Sequence, residues 1–161
     1  MKGSILLVLL AALGACTSDA DVAGNYSVAL TNRDNGCNLA NFNPGAMTSG
    51  VSVVITQSGS KVTLTVENLA GLSLIGLLGG GGNVYSGNVD GDDFSVESIG
   101  TKANNSGNCT YTYNSEISGT LNGDSLVGSI DYRAADNGNS DCTQVHGCLS
   151  YQDYNGTRPP R

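Results

Sequence analysis

Eight runs in this chain alternate apolar and polar side chains with a period of two, and turn residues separate them, a pattern that suits half-buried β-strands. Tyr26, Val28 and Leu30 alternate with Ser27, Ala29 and Thr31. Val51, Val53 and Ile55 form the second run, and Val62, Leu64 and Val66 oppose Lys61, Thr63, Thr65 and Glu67 in the third. Tyr85 to Asp90 and Phe94 to Ile99 flank Gly91-Asp92, a hairpin signal. Asn122-Gly123, the strongest such signal in the chain, separates Thr110 to Leu121 from Leu126 to Arg133. Tyr111, Tyr113, Ile117 and Leu121 share one face of the first of these, and Leu126, Gly128, Ile130 and Tyr132 share one face of the second. Leu149 to Tyr154 is the last run, and no segment of useful length carries a helical period.

Gly87, Gly119 and Gly128 fall on the apolar phase of their strands. Glycine inside a strand often marks a tight bend, and eight antiparallel strands with one apolar face can curl into an up-and-down barrel without exposed edges. The expected fold is all-β, an eight-stranded antiparallel barrel. A β-sandwich of two sheets satisfies the same alternation.

A chain of 161 residues fits one domain and can bury a core. Its 14 acidic and 7 basic residues are scattered, with no block of Lys and Arg, which argues against nucleic acid as a partner. Charged residues make up only 13% of the chain, and Val, Ile, Thr and Tyr recur in patterned runs, so the composition is that of a turn-rich β protein and not of a disordered one.

The N-terminus has a different character. Lys2 supplies a positive charge, Ile5 to Ala12 an apolar run, and Leu13-Gly14-Ala15-Cys16 a small-residue cleavage site ending in cysteine. The apolar run is far shorter than the roughly 20 residues needed to span a bilayer. The segment resembles the signal peptide and lipobox of bacterial lipoproteins. That resemblance implies a thioether-linked lipid on Cys16, cleavage just before it and acylation of the new amine. Residues 1–15 are then a leader, 16–23 a lipidated N-terminus and polar tether, and 24–161 a single barrel domain. In the same family Asp after the lipidated cysteine favours inner-membrane retention. Thr17 stands there in this chain, which implies the outer membrane.

A second resemblance concerns the barrel. Lipocalins carry Gly-x-Trp at the start of the first strand, with an Arg from the last strand packed across that ring. Gly24-Asn25-Tyr26 and Arg158 are similar to that arrangement, with Tyr in place of Trp, and imply a barrel-closing pair of Tyr26 and Arg158. The lipobox, the run Ile55-Thr56-Gln57-Ser58-Gly59, the paired cysteines and the terminal Asn155-Gly156-Thr157-Arg158-Pro159-Pro160 together resemble bacterial envelope lipoproteins of no known activity.

Five cysteines are an odd number for a secreted chain. Taking Cys16 into a thioether leaves Cys37, Cys109, Cys142 and Cys148, an even set that allows three pairings. Cys142 and Cys148 bracket a short loop and are expected to pair, leaving Cys37 with Cys109.

Other motifs point more weakly to chemistry. Gly123-Asp124-Ser125-Leu126 spells a serine-esterase motif, yet Ser125 sits in a β meander and the single histidine, His146, has Thr143 in place of the Asp of an Asp-x-x-His base. Asn88, Asp90, Asp92 and Asp93 resemble a calcium loop without its glycine or its terminal Glu, and read better as a hairpin tip. Asp136 to Asp141 could also wrap calcium or be an ordinary polar loop. One His and oxidised cysteines leave no zinc site. Two segments break the strand pattern: Thr31 to Gly50, which contains Cys37, and Asn68 to Asn83. The second carries the apolar patch Leu72 to Leu78, either a connector that closes a barrel end or a lid that contacts a partner. Tyr111, Tyr113 and Tyr132 either fill the core or line a pocket.

The sequence therefore predicts a membrane-anchored envelope lipoprotein that is not an enzyme, uses no cofactor and has a structural or interaction role. The alternative is a carrier that holds a small apolar ligand inside the barrel.

Overall fold

The computed structural model describes residues 19–67 and 82–160. Residues 1–15, read above as a leader, Cys16, Thr17 and the Leu72 to Leu78 patch lie outside the described residues. Nine strands follow in order: β1 (Gly24–Asn35), β2 (Met47–Ser58), β3 (Lys61–Val66), β4 (Val84–Asp90), β5 (Asp93–Ser98), β6 (Asn104–Ser106), β7 (Cys109–Asn122), β8 (Ser125–Asp136) and β9 (Leu149–Thr157). Each of the eight alternating runs corresponds to one of them, with Glu67 and Ile99 just past the ends of β3 and β5. The ninth, β6, continues β5 along the same edge of β7 after a break at 99–103.

The sheet closes on itself. Its order is β5-β4-β3-β2-β1-β9-β8-β7-β6, and β5 also pairs with β7 from Asp93↔Thr120 to Ser98↔Ser115. Every pairing is antiparallel, so the molecule is an up-and-down barrel of eight staves. A sandwich would have left two open sheets. The inward residues are those of the apolar phase: Val28, Leu30, Val53, Ile55, Leu64, Tyr85, Phe94, Val96, Ile117 and Leu126 are all buried in one cluster.

Three tight turns define the lower end. Ser58↔Lys61, Asp90↔Asp93 and Asn122↔Ser125 are the last pairs of three hairpins, each closed by a Gly-x loop. Gly123 adopts φ 65°, which an L residue with a side chain rarely tolerates, and glycine first in a two-residue loop matches the twist of the strands. The upper end carries the longer connections, 36–46, 99–103 and 137–148.

Curvature comes from the glycines on the inward phase. Phe94 pairs with Gly119, Gly119 with Gly128, and Gly128 with Tyr154, so a row of two glycines lies between two aromatic residues. The Tyr154 side chain lies across them and donates its hydroxyl to the Ser118 carbonyl at 3.1 Å. A Cβ on Gly128 would stand 2.0 Å from the Ser118 carbonyl oxygen, and one on Gly119 2.0 Å from the Tyr154 hydroxyl. Gly87 is equally tight, with the Ser95 carbonyl oxygen 1.9 Å from its notional Cβ. Only a residue without Cβ lets adjacent strands fold this closely.

The expected tether is corrected in its second half. Asp19 to Ala23 lie against the lower end of the barrel. Ala20 N donates to the Gly91 carbonyl at 2.8 Å, Val22 N to Gln57 Oε1 at 2.8 Å, and Gln57 Nε2 to the Ala20 carbonyl at 3.1 Å. Val22 is completely buried in the core. The apolar Val22 side chain, between Asp21 and Ala23, is what converts this segment from a spacer into a plug.

Candidate functional site

The lower end is held by Arg158. Its Nη1 donates to the carbonyls of Asp21 and Ala23, both at 2.7 Å, and its Nε to Asp124 Oδ1 at 3.0 Å. The guanidinium carbon sits 5.7 Å from the centre of the Tyr26 ring, within cation–π range. Tyr26 is itself buried and donates its hydroxyl to the Val22 carbonyl at 2.9 Å. The structure thus brings Tyr26 and Arg158 together, and adds Asp124 and the 19–23 backbone to the pair. Replacing Arg158 by Ala removes three charge-assisted hydrogen bonds and the cover over Tyr26, and is expected to cost about 3 kcal/mol in urea unfolding. Arg158→Lys keeps the charge but not the fork that spans two carbonyls, and is expected to recover less than half of the loss.

The interior is nearly full. Among the described residues, the interior holds an apolar cavity of about 50 Å³, lined by residues such as Val53, Leu64, Ile117, Tyr132 and Tyr154. Of the three tyrosines read as filling the core or lining a pocket, Tyr132 borders this cavity and Tyr111 and Tyr113 do not. Tyr111 and Tyr113 sit further up β7, their rings edge to face with centroids 5.5 Å apart. Tyr113 donates its hydroxyl to the Cys37 carbonyl at 3.4 Å and so serves the upper loop.

Burial governs how these phenols titrate. It pushes the phenols of Tyr85, Tyr132 and Tyr154 up, and that of Tyr113 to about 12, where the neighbouring Tyr111 adds to the effect. An unfolded tyrosine titrates near pH 10, so each of these groups binds its proton more tightly in the folded chain. Their contribution to stability is complete below about pH 10 and is lost as pH rises through the raised values. In an alkaline titration followed by phenolate absorbance, these four of the seven tyrosines are expected to ionise in one cooperative step with loss of the barrel's circular dichroism. Independent, smooth ionisation of all of them in an intact fold would contradict the burial described.

At the upper end the cysteines pair differently from the sequence expectation. The disulfides are Cys37–Cys148 and Cys109–Cys142. Residues 140–142 form a 3-10 turn, and the amides of Val145 and His146 both bond the Cys142 carbonyl, which winds the six-residue interval into consecutive turns. Cys142 is left facing the start of β7 and Cys148 the loop after β1. Closeness in sequence did not translate into closeness of the two side chains.

A buried polar network, missed in the sequence, fixes the loop at 36–46. Gln152, fully buried, accepts from Tyr132 Oη at 2.6 Å and donates to Asn32 Oδ1 at 2.5 Å. Asn35 Oδ1 accepts from Leu39 N at 2.7 Å and from Ser150 Oγ at 3.0 Å, while its Nδ2 donates to the carbonyls of Leu39 and Phe42. Among the described residues no buried side-chain nitrogen or oxygen lacks a partner, as a low-dielectric interior requires. Leu39 and Phe42 are thereby pressed onto Tyr132, with the Phe42 ring edge-on at 6.0 Å. Ser150 and Gln152 lie on the inward phase of β9, between no apolar neighbours of their own parity until Tyr154. That break in the pattern was the available signal.

The motifs with catalytic or metal-binding overtones are dispersed. Ser125 begins β8 at the lower end, whereas His146 is bound through Nδ1 to Asp136 Oδ2 at 3.0 Å at the other end of the same strand. Twelve residues of strand separate them, about 35–40 Å, so the histidine cannot serve Ser125. Asn88 accepts from Lys61 Nζ at 2.8 Å and Asp93 from Thr120 Oγ1 at 2.5 Å, on an exposed hairpin. Asp136, Asn137 and Asn139 each turn back onto a backbone amide two residues on, and Asp141 Oδ2 takes Asn108 N at 2.9 Å. The Asp136 carboxyl is held below its ordinary value first by the Gly138 amide and then by His146. No cluster of three or more metal-ligating side chains occurs among the described residues.

An open trough of about 830 Å³ lies on the outside across β4, β5, β7 and β8, where the glycine row draws the sheet inward. Its outward residues include Asn88, Asp93, Glu97, Glu116 and Ser129. Glu97 and Glu116 are directly opposed, as are Glu116 and Asp131; Ser95 Oγ donates to Glu116 Oε1 at 3.0 Å and Arg133 Nη2 to Asp131 Oδ2 at 2.8 Å.

The fold and its two ends define the class of molecule, a small closed β-barrel of eight antiparallel strands with two disulfides. Compared with known protein families, curated proteins and solved structures, the chain matches none.

Proposed function

We propose that this protein is a lipid-anchored, non-catalytic lipoprotein of the bacterial envelope that acts through its outer surfaces. The observation that carries the choice between interaction protein and carrier is the filled interior. About 50 Å³ holds a few water molecules, whereas sites for drug-sized ligands occupy about 300–1,000 Å³. The anchor reading rests on Lys2, Ile5 to Ala12 and Leu13-Gly14-Ala15-Cys16. The cysteine arithmetic supports it: of five cysteines, the four at 37, 109, 142 and 148 bond to one another, and Cys16 is left for other chemistry. Thr17 favours the outer membrane by resemblance. Dispersal of Ser125 and His146 to opposite ends of β8 supports a role without catalysis.

Fractionation of host cells tests the anchor. The wild-type chain is expected in the detergent-soluble envelope fraction with an acylated N-terminal Cys16, and Cys16→Ser in the soluble fraction. Envelope association unchanged in Cys16→Ser would refute the lipid anchor.

A further inference from the structure

We infer that the lower end of the barrel is apposed to a zwitterionic lipid surface at close range, so that the disulfide-tied upper end is the one presented to other envelope components. This orientation rests on the Cys16 anchor proposed above. Its physical basis is the docking of residues 19–23. Asp19 Oδ1 accepts from Gly91 N at 3.3 Å, and the next four residues are held by Gly91, Gln57 and Arg158 through the contacts already given. The chain therefore becomes part of the barrel at Asp19, beside a lower-end turn. Only Thr17 and Ser18 separate Asp19 from the anchoring cysteine, and three extended residues span at most about 10 Å.

The rest follows from size. A twelve-residue strand such as β1 runs about 40 Å, or about 30 Å of barrel height at the usual tilt, so a tether of that length cannot bring the upper end to the same bilayer while the barrel stands. The lower end offers three short turns of Gly, Ser and Asp. Its charges are mainly acidic, Asp19, Asp21, Asp90, Asp92, Asp93 and Asp124 against Lys61 and the enclosed Arg158. Attraction must then come from the acyl chains, and neutral-headgroup lipid is the surface that such an end meets without repulsion. The exposed Met47 and Ile99 lie at the upper end, away from the bilayer.

The chain has no tryptophan, which makes single-Trp reporters unambiguous. Ser60→Trp reports the lower end and Ile99→Trp the upper, both at exposed positions of the full acylated chain. In phosphatidylcholine vesicles doped with a headgroup nitroxide lipid, quenching is expected to be severalfold stronger for Ser60→Trp. Equal or reversed quenching would overturn the orientation. A Gly/Ser insert of about ten residues between Thr17 and Ser18 adds roughly 15–20 Å of reach and is expected to erase most of the difference. A difference that survives the insert would overturn the short tether as its cause. The mass of the same preparation reads the anchor separately: acylated protein with equal quenching overturns the orientation alone, and unacylated protein overturns both.

Discussion

Gly128→Ala is expected to destabilise the barrel by about 4 kcal/mol or more, a large share of the roughly 5–15 kcal/mol that keeps a domain folded. The new methyl would stand 2.0 Å from the Ser118 carbonyl oxygen and 2.6 Å from Gly119 Cα, both backbone atoms that cannot rotate aside. The strands must separate, and the row from Phe94 to Tyr154 is where the sheet bends. Gly119→Ala tests the same bend with a different obstacle, the Tyr154 hydroxyl at 2.0 Å, followed by the Val127 carbonyl oxygen at 2.7 Å. Tyr154→Phe deletes that hydroxyl at a cost of about 1–2 kcal/mol for the lost bond to Ser118. The double variant Gly119→Ala/Tyr154→Phe is therefore expected to lose clearly less than the sum of its parts, and Gly128→Ala/Tyr154→Phe to recover less, because its methyl meets that hydroxyl at 2.7 Å but keeps both backbone clashes. Urea melts of the five variants check this, and full additivity in both cycles would contradict the packing of Tyr154 on the glycine pair.

The disulfides come next in size. Cys37–Cys148 joins residues 111 apart in sequence and Cys109–Cys142 residues 33 apart. Loop-closure entropy gives about 5 and about 4 kcal/mol for loops of those lengths, and measured effects commonly run lower, so double Cys→Ser variants are expected to lose about 3–5 kcal/mol each. Their local consequences differ. Cys37→Ser/Cys148→Ser frees the loop that presses Leu39 and Phe42 onto Tyr132, so near-ultraviolet dichroism from Tyr132 is expected to fall. Cys109→Ser/Cys142→Ser releases the turn at 140–142 from β7 and is expected to leave that signal in place. Peptide mapping of the oxidised chain should yield the 37–148 and 109–142 cross-links.

Most of the strand framework was legible because its signals are local. Alternation put Val28, Val53, Leu64, Phe94, Ile117 and Leu126 inward, and a two-residue loop after Asn122 forces the register of β7 on β8. Counting back from Asn122↔Ser125 places Gly119 opposite Gly128, so even the glycine pair could be read from the chain. What remained hidden depends on contacts between distant segments. The cysteine pairing followed the winding of residues 140–148 and not their spacing. The docking of 19–23 is carried by backbone groups and by one valine, so composition made it look like a spacer. The Asn32–Gln152–Tyr132 network joins three strands, and Gln152 differs from a surface glutamine only in the parity of its position. At the lower end, by contrast, the pair of Tyr26 and Arg158 was implied by the resemblance to lipocalins, and closure, which brings the start and finish of the barrel side by side, places the two together.

The measurement that bears most directly on the account is a comparison of native and denatured masses of the soluble chain beginning at Ser18, purified from its own host's periplasm. A filled barrel predicts the same mass in both states, that of the chain with two disulfides formed. A discrete extra mass that is lost on denaturation would show that the interior opens to hold a ligand, and would replace the interaction protein by a carrier.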